Sequence, residues 1–174
     1  MESGVVYYKF MNVGLCSIII AETTTGVCKI DFLNCELNFL PWIQINYTGF
    51  KIVKVENEIK LEVEKQIFEY FQGTRKKFDL KLDLKSTNFQ GRVFDFLLKV
   101  PYGSVVSYGD IANALGGVRY SRAVGNALNK NPIPIIIPCH RVINSKGGIG
   151  GFSAGVEIKK KLLNLEEEMI KEKV

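Results

Sequence analysis

Short apolar runs broken by turn residues open the chain. Val5 to Met11, Leu15 to Ala21 and Val27 to Phe32 are separated by Asn12-Val13-Gly14 and by a Glu22 to Gly26 turn, the pattern of a β-meander. The period then lengthens: Val63, Ile67, Tyr70 and Phe71 fall at helical spacing, with Gly73 placed as a C-cap. From Phe78 to Lys85 strict alternation returns, with Phe78, Leu80, Leu82 and Leu84 on one face, which predicts another strand. The domain junction is placed at its end, giving an N-terminal unit over 1–85 and a C-terminal unit over 86–174.

Helical punctuation dominates the second unit. Thr87 with Gln90 forms a capping-box pattern, and Phe89, Val93, Leu97 and Val100 make one stripe until Pro101 stops the helix. Ser107 and Asp110 repeat the pattern before Ile111, Ala112 and Leu115, with Gly116-Gly117 as the stop. Ser121 is then expected to cap a second short helix that buries Ala123, Val124, Ala127 and Leu128. Two short helices joined by a tight turn outline a helix-turn-helix. The outward face of the second would carry Arg122, Gly125, Asn126, Asn129 and Lys130, small or hydrogen-bonding residues that let a nucleic acid backbone approach. The fold class expected is α/β (α+β): a β-sheet unit with a helix, then a helical unit containing a helix-turn-helix.

Composition narrows the function classes. At 174 residues with 47% hydrophobic content the chain can bury a proper core. No apolar run approaches the roughly 20 residues of a bilayer span, and the opening Met1-Glu2-Ser3-Gly4 lacks the basic start and apolar core of a secretory signal. A cytoplasmic location without membrane partners is expected. The net charge of +5 is unevenly spread, at −2 over residues 1–75 and +7 over residues 76–174, which favours a polyanionic partner for the second unit. The four cysteines, at 16, 28, 35 and 139, show neither a disulfide framework nor paired metal-ligand spacing, and there is one histidine, so no metal and no cofactor are expected.

That histidine sits in the most informative stretch, Asn131-Pro132-Ile133-Pro134-Ile135-Ile136-Ile137-Pro138-Cys139-His140-Arg141-Val142. Prolines around β-branched residues cannot continue a helix, so an extended, buried and rigid segment is expected up to Cys139. A thiol fixed in place beside a base suits a nucleophilic thiolate. Adjacent residues of an extended chain point apart, so a bridging water is expected between Cys139 and His140 rather than a direct bond. In the last helix Ile158, Leu162, Leu165 and Met169 form the apolar stripe, and Glu166 stands at its border, where a half-buried carboxylate could reach inward.

The run Ile137-Pro138-Cys139-His140-Arg141-Val142 resembles the active-site signature of the O6-alkylguanine-DNA alkyltransferases, also called methylated-DNA-protein-cysteine methyltransferases. Phe89-Gln90 with Val93-Phe94, Tyr102-Gly103, Val106-Ser107-Tyr108, Arg122-Ala123-Val124-Gly125, Asn131-Pro132 and Gly150 to Ser153 follow in family order and spacing, so the resemblance covers roughly residues 86–168. The N-terminal third resembles the family's ribonuclease-H-like domain in its coarse strand and helix pattern. The resemblance implies repair of double-stranded DNA by a monomer. An alkyl group on O6 of guanine, and also on O4 of thymine, would pass irreversibly to Cys139 after the damaged nucleotide is flipped out through the minor groove.

By position, the resemblance further implies that Arg122 replaces the extruded nucleotide in the stack, with Ser121, Ala123, Gly125 and Asn129 also facing DNA. Tyr108 would turn the phosphate and donate toward the base. Glu166 would orient His140, His140 would take the Cys139 proton through water, and Asn131 would brace the active-site turn. Val142, Phe152, Ser153 and Ala154 would line the base pocket. Phe152 stands where many relatives have Tyr, and Ala154 where some have Gly, so bulky alkyl groups would be handled differently. Three other classes compare poorly. A lesion-binding relative without repair would lack the cysteine, a helix-turn-helix regulator would need larger base-reading side chains, and a cysteine hydrolase would need His in direct contact with the thiol.

Overall fold

The structure, a computed structural model, describes residues 4–33, 38–55 and 62–171, so Cys35 lies outside the described residues. The chain divides into two compact units, residues 1–85 and 86–174.

In the first unit β1 (Val5–Asn12), β2 (Ser17–Glu22) and β3 (Val27–Phe32) form the antiparallel meander read from the sequence. Two elements were not read there: α1 (Phe39–Asn46) and β4 (Lys51–Lys54), which adds in parallel to β1 and gives the order β3-β2-β1-β4. Pro41 sits in the first turn of α1, where its missing N–H has no helical partner to lose. Val6, Ile19 and Ala21 from the sheet meet Phe39, Ile43 and Tyr47 in one core cluster with Cys28. Helix α2 (Glu62–Phe71) buries Val63, Ile67 and Tyr70 as expected, together with Gln66.

The strand expected over Phe78–Lys85 does not form. The alternation is real, since Leu80, Leu82 and Leu84 are half-buried while Asp79 and Lys81 are exposed. The backbone, however, meets the sheet only at a bridge between Val27 and Leu82. Side chains take up three of its other backbone groups. Gln66 brackets Asp79 with a bond to its carbonyl at 2.9 Å and from its N–H at 2.8 Å, and Tyr47 Oη donates to Asp83 O at 2.8 Å. Alternation reports which face is buried; ladder formation needs a neighbouring edge in register, which sequence periodicity does not contain.

The second unit holds α3 (Asn88–Leu97), β5 (Val106–Ser107), α4 (Tyr108–Ala114), α5 (Ser121–Asn129), β6 (Val142–Ile143) and α6 (Val156–Lys171). Both expected capping boxes are present: Thr87 and Ser107 each accept from the backbone at N3, and Gln90 and Asp110 return the bond to the cap. The expectation for Ser121 is overturned. A 3₁₀ turn at Val118–Tyr120 precedes α5, Tyr120 holds the cap position, and Ser121 is already helical with its hydroxyl donated back to Val118 O at 2.7 Å. The hydroxyl is thus spent on the preceding turn rather than on an open helix end. Helix α5 buries Val124, Ala127 and Leu128 and packs on α3 and α4.

Candidate active site

Construction of the site starts at the end of α5. Asn131 accepts from Ile133 N through Oδ1 at 3.0 Å, an Asx turn that ends the helix, while its Nδ2 donates at 2.8 Å to Ile137 O. Between them the chain is not extended, contrary to expectation. Ile137 N donates to Ile133 O at 2.9 Å, closing a loop in which Ile135 adopts a left-handed φ of 77°. A β-branched residue in that region costs on the order of 1–3 kcal/mol and persists only where its surroundings fix it. Full burial of Ile133, Ile135 and Ile137 supplies that constraint. The apolar run therefore anchors a tight turn; prolines excluded helix correctly but could not separate strand from turn.

Pro138, at φ −81° and ψ 64°, then makes an inverse γ-turn, with Cys139 N donating to Ile137 O at 2.8 Å. Cys139, His140 and Arg141 follow in a 3₁₀ turn, and all three are buried. Cys139 is 6% exposed and its sulfur accepts from Asn131 Nδ2 at 3.1 Å, so Asn131 holds both the turn and the sulfur. Burial pushes this thiol up to about 11, despite the Asn131 hydrogen bond and the positive charge of Lys159. At rest it carries its proton and needs a base to become a nucleophile.

A base stands next to it in sequence. His140 Nε2 lies 2.9 Å from Glu166 Oε1, with both side chains fully buried. Burial holds His140 below its usual range against the pull of Glu166, so it is neutral at physiological pH and able to take a proton. Burial alone would raise Glu166, but hydrogen bonds from His140 and Arg141 outweigh it and hold the carboxyl at about 2. Glu166 is more deeply buried than the border position read from the stripe, because the inward face of α6 runs through Lys159, Leu162 and Glu166, with Ile158, Leu165 and Met169 only half-buried beside it. Neighbouring Glu167 and Glu168 are exposed.

Two further partners of Glu166, and a buried lysine beside the site, were not foreseen as such. Arg141 donates from Nε at 3.0 Å and from Nη2 at 2.8 Å, and its Nη1 reaches Val100 O. Gly103 N donates to Oε2 at 2.8 Å from a turn where φ is +72°. Lys159 is fully buried, donating to Val142 O and, at 3.3 Å, to Gly151 O. A guanidinium inside an apolar signature and a lysine on a helical stripe leave no periodic trace; an unsatisfied charge at a core position would be the cue.

Parallel pairing of β5 with β6, Val106 with Val142 and Ser107 with Ile143, brings the start of α4 alongside the Cys139 turn. Tyr108 is half-buried there, and burial and the nearby Cys139 both hold its hydroxyl protonated. On its other side Tyr108 joins Ser121, Arg122, Gly125 and Asn129 in lining an open groove of about 520 Å³, together with Asn144 and Ser145, which sequence reasoning did not select. Arg122 is exposed, whereas Ala123 is half-buried and outside that lining. Val142 and Ala154 are buried, Phe152 is half-buried and Ser153 is exposed, in the segment that runs from β6 into α6. Cys28, by contrast, is a core thiol of the first unit, pushed up to about 12 by burial and the charge of Asp83.

Comparison with known proteins bears on both units. Residues 88–168 match the model of the 6-O-methylguanine DNA methyltransferase DNA binding domain, and residues 6–84 that of the same enzyme's ribonuclease-like domain. A methylated-DNA–protein-cysteine methyltransferase of Methanosarcina acetivorans is 48% identical over 163 residues, covering 92% of this chain and 97% of its own. The crystal structure of the O6-methylguanine methyltransferase of Mycobacterium tuberculosis is similar at a TM-score of 0.79 and 33% identity, covering 95% of this chain and 94% of that one. A structure of the same organism's OGT in complex with DNA gives 0.78 and 33%, covering 94% of each chain.

Proposed function

The chain belongs to the 6-O-methylguanine DNA methyltransferase family and is a methylated-DNA–protein-cysteine methyltransferase, and on that premise we propose that it repairs DNA by moving the alkyl group of O6-alkylguanine onto Cys139 and keeping it there. The observation that carries the assignment of Cys139 is the join of two arrangements in one place. Its sulfur, pinned at 3.1 Å by Asn131, is followed directly by a buried His140–Glu166 pair at 2.9 Å.

In this reading Glu166 fixes the His140 ring, and His140 removes the thiol proton through a water molecule. The Sγ–alkyl bond forms as the alkyl–O6 bond breaks, and the electron pair stays on the guanine oxygen. The base regains a proton as the hydroxyl of Tyr108 donates to it, easing departure of the purine. The product is a thioether, which has no ready hydrolysis, so the reaction runs once per molecule. Reaching a buried thiol requires the nucleotide to leave the duplex. Arg122 would fill the gap, from a helix-turn-helix of α4 and α5 held in the minor groove, a role supported by its exposure on the groove that Tyr108 also lines. Val142, Phe152, Ser153 and Ala154 would enclose the extruded base, and O4-alkylthymine, which presents a similar alkoxy edge, is a further substrate.

Mixing the protein with excess duplex carrying one O6-methylguanine, followed by intact and peptide mass measurement, tests this. One methyl on the Cys139 peptide, saturating at one per protein, is expected. Bound DNA with no mass gain would make the protein a lesion sensor instead.

A further inference from the structure

Neither the relay nor the base pocket employs Lys159. Its side chain is fully buried, and among the described residues no carboxylate lies within ion-pair distance of it. A buried ammonium without a counter-charge is costly, and such groups are ordinarily paired or neutralised. Two carbonyls, Val142 O and Gly151 O, accept its hydrogen bonds and so satisfy donors without balancing charge. Glu166, the buried acid two helical turns further along the same face of α6, is engaged by His140, Arg141 and Gly103.

Val142, whose carbonyl accepts from Lys159, closes the Cys139 turn with its own N–H on Cys139 O, so the ammonium stands beside that turn and Cys139, once ionised, is the group left to balance it. Resting on the assignment of Cys139 as the alkyl acceptor, we propose that Lys159 is a positioning residue whose buried positive charge favours the Cys139 thiolate over the thiol, while its two carbonyl bonds tie β6 to the loop leading into α6. The coupling runs both ways: the Lys159 charge pulls the thiol down, and an ionised Cys139 pulls the ammonium up. The other titratable or charged groups around this pair are His140 and Arg141 on the same turn, Tyr108 on α4 and Glu166 on α6. Of these, His140 is neutral at rest, Arg141 is neutralised by Glu166, and Tyr108 is protonated, so Lys159 supplies the net charge the sulfur experiences. Charge placed here acts on the attacking state alone, because a thiol has nothing for it to stabilise.

The test uses the full chain and does not depend on DNA. The rate of Cys139 alkylation by iodoacetamide, followed by intact and peptide mass across a pH series, reads the thiol ionisation. Lys159→Met is expected to move the midpoint upward by about one pH unit, roughly tenfold less thiolate at a given pH, whereas Lys159→Arg keeps the wild-type midpoint. A folded Lys159→Met with an unchanged midpoint overturns the proposal, leaving Lys159 a mechanical tie. If Lys159→Met does not fold, 15N-lysine NMR of the wild type and of Cys139→Ser replaces it. Reciprocity requires Lys159 to titrate at lower pH when the thiolate is removed, and equal midpoints refute the coupling. Absence of methyl transfer from O6-methylguanine duplex in the wild type would instead strike the assignment of Cys139, which the iodoacetamide profile does not assume.

Discussion

Replacing Glu166 with Gln removes one negative charge from the centre of the site while keeping its shape. The carboxylate accepts from His140 Nε2, Arg141 Nε and Nη2, and Gly103 N. An amide can keep part of this geometry, but it leaves the buried Arg141 guanidinium without a counter-charge. The cost follows from the titration. The carboxyl moves from an ordinary 4.5 in the unfolded chain to about 2 in the folded one, and such a shift carries about 3 kcal/mol. With His140 neutral at pH 7, its share there is a hydrogen bond, and Arg141 supplies both hydrogen bonds and the opposite charge. The sign is that of a depressed acid: the stabilisation is complete above about pH 4.5 and is lost as pH falls toward 2. Urea unfolding should therefore show Glu166→Gln less stable than wild type by about 3 kcal/mol at pH 7, with the difference shrinking steadily below pH 4.5. Far-UV circular dichroism is the suitable signal, since the single tryptophan, Trp42, lies in the first unit and the substitution in the second. A loss below 1 kcal/mol at pH 7, or an equal loss at pH 3, would refute the account of Glu166 as an ionised partner of Arg141.

Asn131→Ala removes the bonds to Ile137 O, Cys139 Sγ and Ile133 N together, and should cost about 2–3 kcal/mol in chemical denaturation and slow methyl transfer in a single-turnover mass assay. Arg122→Ala, at an exposed position on the groove, should leave the melting temperature unchanged and slow transfer from duplex DNA, with transfer from free O6-methylguanine base unaffected; equal slowing on both substrates would contradict its placement. Gly103→Ala forces a side chain into left-handed backbone at φ +72° and against Ile170 Cδ1, so a loss of about 2 kcal/mol is expected in thermal unfolding, with the Glu166 contact weakened in step.

What the sequence determined by itself were the features encoded locally. Both capping boxes, the meander of β1 to β3, α2 and the stop at Gly116-Gly117 rest on interactions within a few residues, and the structure contains them, whereas α3 ends at Leu97, before the stop read at Pro101. The Cys139-His140 pair was legible because it is contiguous, and Asn131 because a residue before proline at a helix end has few other uses. Tertiary structure alone decided the rest. Whether Phe78–Lys85 became a strand depended on an available edge, and β3 offered it one bridge while Gln66 and Tyr47 took its backbone groups. Whether Ser121 capped a helix depended on the 3₁₀ turn before it. Above all, the electrostatics of the site were invisible to periodicity. Arg141 and Lys159 carry no sign of burial in one dimension, and Glu166 reads as only half-buried, yet all three are buried. Only when α6 docks against the Cys139 turn do they leave water, and it is desolvation and partnering, neither of them a property of sequence spacing, that set which group is ionised and which can accept a proton.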